Sequence, residues 1–201
     1  MTDPPSLPPP APDLDPALAA RIEDVIRRGE ATWDDLHDAT NERFHDLVLS
    51  DHRAAIPWLV DLHRPGARLV ELGSGVGLMA IVADLLGYEA VGIAIEAELV
   101  EVARGLAAAA GSRAEFIEGS FVPPEARDDV HLLDVDTLTV TEGRDAWEEL
   151  GLAMDDFDVV SVYPWPDQTA WLVDLVRRHA APHAVLLTYS GRDGYRVRRM
   201  G

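Results

Sequence analysis

The spacing of apolar residues changes near residue 64, and the change divides the chain. Before it, Leu18, Ile22, Val25 and Ile26 share one helical face from Pro16 onward. Thr32 offers a cap for a second helix, in which Trp33, Leu36, Phe44 and Leu47 recur at helical spacing. Ser50 or Asp51 can cap a third helix running to about Leu62, with Pro57 bending or delaying it. After residue 64, short continuous apolar runs alternate with helical patterns. The runs 67–73, 90–95, 114–120, 157–163 and 184–189 read as strands, and 195–200 as a last short one. Helices are expected at about 77–86, 98–110, 145–150 and 167–180, and 130–138 offers a further strand. Buried strands separated by helices argue for a parallel sheet covered on both faces, an α/β fold.

This pattern implies three parts: a Pro-rich tail over 1–14, a helical cap over 15–63 and an α/β domain over 64–201. Six prolines among the first fourteen residues mark the tail as disordered or extended. The chain has 201 residues, enough to bury a sizeable core.

Composition narrows the chemistry. There is no cysteine, which excludes disulfides, thiolate metal sites and cysteine nucleophiles. The histidines show no metal-ligand spacing, so no metal is expected. No apolar run suits a transmembrane helix and the N-terminus lacks a signal-peptide pattern, so the expectation is a cytoplasmic protein without a membrane partner. The formal net charge is −19, and every basic residue is arginine. Such a field repels a phosphate backbone, which leads to the expectation of no nucleic-acid partner. Arginine without lysine fits either a GC-rich genome or a salt-loving host. The oligomeric state is open.

The principal motif is the turn Glu71-Leu72-Gly73-Ser74-Gly75-Val76-Gly77, which follows a predicted strand and opens a helix. Glycine permits the positive φ of a tight turn and lets a ligand approach the main chain. The dinucleotide fingerprint needs glycine at position 78, where this chain has Leu78.

The spacing G-x-G-x-G, preceded by an acid at Glu71, resembles motif I of the class I S-adenosylmethionine-dependent methyltransferases. The resemblance covers about residues 44–200 and extends to bacterial members that carry YPWP after the fourth strand. It implies a Rossmann-like, three-layer fold with sheet order 3-2-1-4-5, shortened C-terminal strands and S-adenosylmethionine as cofactor. It assigns the cofactor to Glu71, Gly73, Ser74, Gly75 and Gly77.

Two positions depart from the family pattern. The acid that takes the ribose hydroxyls falls at Ala94. Glu96 lies two residues on and either replaces it or sits in the first turn of the next helix. Losing a charged acceptor costs on the order of 1.5–3 kcal/mol, or ~10–100-fold in affinity. The position expected to serve adenine is Ser120, followed by Phe121, which either packs on the ring or belongs to the core.

Strand 4 runs into Tyr163-Pro164-Trp165-Pro166-Asp167. The resemblance places this segment at the loop that contacts the methyl acceptor, but Tyr163 stands where amino-group enzymes have Asn or Asp. Tyr163 is a candidate to position or deprotonate an acceptor and Trp165 to stack on one; alternatively both pack against the cap. Asp51 is a candidate base, or simply a helix cap. The expected function is a methyltransferase for a small-molecule acceptor. The alternative is a non-catalytic binding or scaffold module on a degenerate methyltransferase fold.

Overall fold

The computed structural model describes residues 7–40, 48–127 and 143–201. The expected strand at 130–138 and the helical positions Phe44 and Leu47 lie outside them, as do residues 1–6 of the expected tail.

Six strands form one sheet in the order β3-β2-β1-β4-β5-β6. They are β1 (Arg68–Leu72), β2 (Glu89–Ala94), β3 (Glu115–Glu118), β4 (Val159–Val162), β5 (Val185–Ser190) and β6 (Gly194–Arg199). The first five are parallel, and β6 returns antiparallel to β5, with Thr188 opposite Arg196. This is the expected Rossmann-like arrangement extended by one edge strand.

Strand alternation divides the core between the two faces. Leu69, Val159, Val185 and Leu187 enter one cluster. Val70, Leu72, Ile93, Val160, Val162 and Leu186 enter the other. Helices α1 (Pro16–Thr40), α2 (His52–Leu62), α3 (Leu78–Leu85) and α4 (Ala97–Ala110) cover the first face. Helices α5 (Ala146–Leu150) and α6 (Thr169–His179) cover the second. The first six residues of α3, Leu78 to Ala83, are all buried, since the helix lies between the sheet and the cap helices.

The cap differs from expectation at Thr32 and at Pro57. Thr32 starts no new helix; α1 runs through it, and its hydroxyl donates to the Arg28 carbonyl at 2.9 Å. A hydroxyl that finds a partner one turn back removes the reason to end the helix there. Gly29 explains why α1 lies so close to α3: a Cβ there would overlap the side chain of Leu78. Arg21 of α1 donates to the carbonyls of Ala110 and Gly111, both at 2.7 Å, and so satisfies the end of α4. Pro57 sits inside α2 without delaying it, and Asp51 caps that helix by accepting from the Ala54 N–H at 3.0 Å. Among the described residues, no helix is long and apolar enough to cross a membrane.

Candidate functional site

The turn after β1 sits at the carboxyl end of the parallel strands, where ligands of open α/β sheets bind. Its three glycines all have positive φ: +73° at Gly73, +51° at Gly75 and +79° at Gly77. Their surroundings differ. A Cβ on Gly77 would overlap the Phe116 ring and crowd Ala103, so this glycine serves the approach of α3 to the sheet. Gly92 on β2 makes room for the same ring, since a Cβ there would come within 2.7 Å of Phe116. Above Gly73 and Gly75 there is nothing within 4 Å among the described residues. These two positions leave clear space for a ligand against the main chain.

The turn is anchored by the Ser74 N–H, which donates to the Ile93 carbonyl at 2.8 Å, and by the Gly77 N–H, which donates to the Ser74 carbonyl at 2.7 Å. Ser74 is buried, and its Oγ has no hydrogen-bond partner among the described residues. A buried hydroxyl without a partner at such a turn is available to a ligand.

Glu71 lies on β1 below the turn and is half-buried. Its Oε2 accepts from the Ala80 N–H at 3.1 Å. Gly77 has no side chain to cap α3, so the carboxylate supplies an acceptor to the first turn of that helix. Burial outweighs this bond and pushes the Glu71 carboxyl up to about 8.

Ala94 ends β2 and is buried. Glu96 is the N-cap residue of α4 but makes no side-chain cap hydrogen bond. Ser120 is almost wholly enclosed and committed to its neighbours. Its N–H donates to the Arg144 carbonyl at 2.8 Å, and its Oγ accepts from the Val122 N–H at 3.2 Å. The Phe121 carbonyl accepts from the Trp147 indole at 2.8 Å, and its ring packs partly against the second core cluster.

A cavity of about 460 Å³ runs from Gly73 across the ends of β4 and β5 to Arg196 and Arg198 on β6. Tyr163 and Trp165 line it. The Tyr163 ring meets Tyr189 edge-on at 4.9 Å, and Tyr189 meets Tyr195 at 4.8 Å, so the three tyrosines form a ladder along the sheet ends. Burial and the neighbouring Tyr189 raise the Tyr163 phenol above its ordinary value. At neutral pH it therefore holds its proton and can donate a hydrogen bond.

Asp51 caps α2 and does not line the cavity. The neighbouring His52 is buried, and burial lowers it to about 4, so it is neutral at neutral pH. Sequence reading passed over Arg196, Arg198, Thr188 and Tyr195. The available signal was the alternation Tyr-Arg-Val-Arg in the last strand, which puts both arginines on one face.

No family model matches the chain. Over 122 residues it is 34% identical to the ribosomal protein L11 methyltransferase of Thermus thermophilus, covering 54% of this chain and 43% of that protein. The chain thus spans less than half the length of this curated relative. An RNA methyltransferase from Salinibacter ruber, solved with S-adenosyl-L-homocysteine, is similar at 22% identity and a TM-score of 0.48, over 71% of this chain and 76% of that one. A Pyrococcus abyssi tRNA (uracil-54, C5)-methyltransferase is similar at 18% identity and a TM-score of 0.44, over 70% and 29%. The expectation of a small-molecule acceptor with no nucleic-acid partner is corrected here: the sequence relative is named for a ribosomal protein, a macromolecular acceptor. Net charge misled because it reports on the whole surface, whereas an acceptor is selected by a local site.

Proposed function

We propose that this chain, which belongs to the class I S-adenosylmethionine-dependent methyltransferase superfamily, binds S-adenosylmethionine over the turn from Glu71 to Gly77 and methylates a protein acceptor. The reading is carried by the clear space over Gly73 and Gly75 beside Glu71 and the unpartnered Ser74 hydroxyl. Glu71 and Ser74 would hold the amino-acid end of the cofactor, Glu96 the ribose hydroxyls, and the segment at Ser120 and Phe121 the adenine. Glu71 suits a cationic ammonium, which would offset the cost of its buried charge.

When bound, the cofactor supplies a methyl group on a sulfonium centre, open to in-line displacement. The chain's own contribution is alignment and exclusion of water. Tyr163 and Trp165 border the acceptor side, with the Tyr163 hydroxyl placed to donate a hydrogen bond. A protein acceptor is supported by the name of the sequence relative.

Calorimetric titration of the purified chain with S-adenosylmethionine, and with its demethylated product, tests the first half. Binding at about micromolar Kd is expected, and no binding at millimolar ligand overturns the reading. Methyl-labelled cofactor offered with ribosomal proteins and with ribosomal RNA tests the second. Label in the protein fraction is expected; label in RNA alone overturns the protein acceptor.

A further inference from the structure

We propose that Arg196 and Arg198 form a carboxylate-binding subsite in the cavity beside the glycine turn. Its role of orienting the acceptor polypeptide through a carboxyl terminus or acidic side chain rests on the methyltransferase reading.

The register of β6 turns Tyr195 toward the cap-side core and both arginines toward the opposite face. There they meet Thr188 of β5. Arg198 Nη1 donates to Thr188 Oγ1 at 3.2 Å, which fixes that guanidinium against the strand. Arg196 Nη2 donates to Asp193 at 2.9 Å, while its Nε is enclosed and has no hydrogen-bond partner among the described residues. Only 23% of the Arg196 side chain is exposed. Two guanidinium groups therefore line one concave site in a chain with 36 acidic and 17 basic residues. Tyr163 and Trp165 provide an aromatic wall in the same cavity.

A guanidinium is a planar fork that matches a carboxylate through two parallel hydrogen bonds. Asp193 already seats one carboxylate on Arg196, so the site accommodates that group sterically. Asp193 sits in the turn between β5 and β6 with 41% of its side chain exposed, and engages only one corner of the fork. An incoming carboxylate competes with Asp193 for the same guanidinium.

The test uses benzoate and benzamide, which match in shape and differ in charge, titrated into the cofactor-free, 15N-labelled full chain. Benzoate is expected to bind at least about tenfold more tightly than benzamide and to move the Arg196 Nε–Hε resonance. Asp193→Asn, which removes the internal competitor, is expected to strengthen benzoate binding severalfold, a gain that a loss of folding cannot mimic. Arg196→Met and Arg198→Met are expected to abolish the preference for benzoate. Equal binding of the two probes, or a preference that survives both arginine substitutions, overturns the proposal. Phenyl phosphate binding about tenfold more tightly than benzoate also overturns it, in favour of a phosphate-bearing acceptor such as RNA. These readouts need no cofactor. A carboxylate preference together with failed S-adenosylmethionine titration would leave the subsite standing and remove the methyltransferase reading.

Discussion

The hydroxyl of Tyr195 donates to Ser50 Oγ at 3.1 Å, across 145 residues of chain. Ser50 Oγ in turn lies 3.4 Å from His52 Nε2. The contact fastens the edge strand β6 to the segment that enters α2, beside the cavity lined by Val48. Burial raises the Tyr195 phenol well above its ordinary value, so it remains a donor at any physiological pH.

Tyr195→Phe keeps the ring and deletes the donor. A loss of about 1 kcal/mol is expected, or roughly 2–4 °C in Tm for a chain of this size. Thermal unfolding followed by circular dichroism measures it. An unchanged Tm would mean that the bond contributes nothing and that ring packing alone holds the strand.

The Glu71 carboxyl is raised from an ordinary 4.5 to about 8, so between those values the folded chain binds more protons than the unfolded one. Stability from this group is full below pH 4.5 and is lost as pH rises toward 8. Glu71→Gln should flatten that part of the stability profile. The ligand follows the opposite course. If the cofactor's ammonium needs an ionised Glu71, affinity should rise between pH 6 and 7 by up to about tenfold, and Glu71→Gln should remove the dependence. A pH-independent Kd in the native chain would show that Glu71 serves α3 alone.

The two kinds of glycine should separate on substitution. Gly77→Ala strains a positive φ and drives a methyl group into Phe116, so a loss of about 2–4 kcal/mol is expected in urea unfolding. Gly75→Ala carries only the backbone strain, about 1–2 kcal/mol, but places its methyl in the clear space above the turn. It should weaken S-adenosylmethionine binding far more than its stability change accounts for. Equal stability losses would contradict the assignment of Gly77 to packing.

Glu96→Ala tests the substitute for the missing ribose acid. A drop of ~10–100-fold in cofactor affinity is expected, with partial recovery when Ala94→Glu is added. If affinity stays unchanged in Glu96→Ala, the residue belongs to the start of α4 and the ribose is held elsewhere.

Much of the fold was legible because each strand carries its burial in its own residues. Val159 to Val162 is buried throughout, as a strand covered on both faces must be. The motif from Glu71 to Gly77 was legible because glycine spacing reports a backbone conformation directly. Other features were not. Thr32 reads equally as a cap or as a helix-interior residue until the Arg28 carbonyl is known to accept its hydroxyl. The cap bond that Asp51 accepts from the Ala54 N–H is a contact that the sequence offers only as one of two readings. Ser120 resembles an open acceptor, yet its main-chain and side-chain atoms are bonded to the segments around Val122, Arg144 and Ala146.

The sequence by itself determined the alternation of strands and helices, the turn conformation and the acidic character, since these follow from side-chain type and local spacing. Tertiary structure alone decided which glycines make room and which admit close packing, because that depends on Phe116, some 39 residues from Gly77 in the chain. It also decided that Arg196, Arg198, Thr188 and Tyr163 share one cavity. Strand pairing brings them together, and the partner of an edge strand is chosen by the packing of the whole sheet rather than by its own residues.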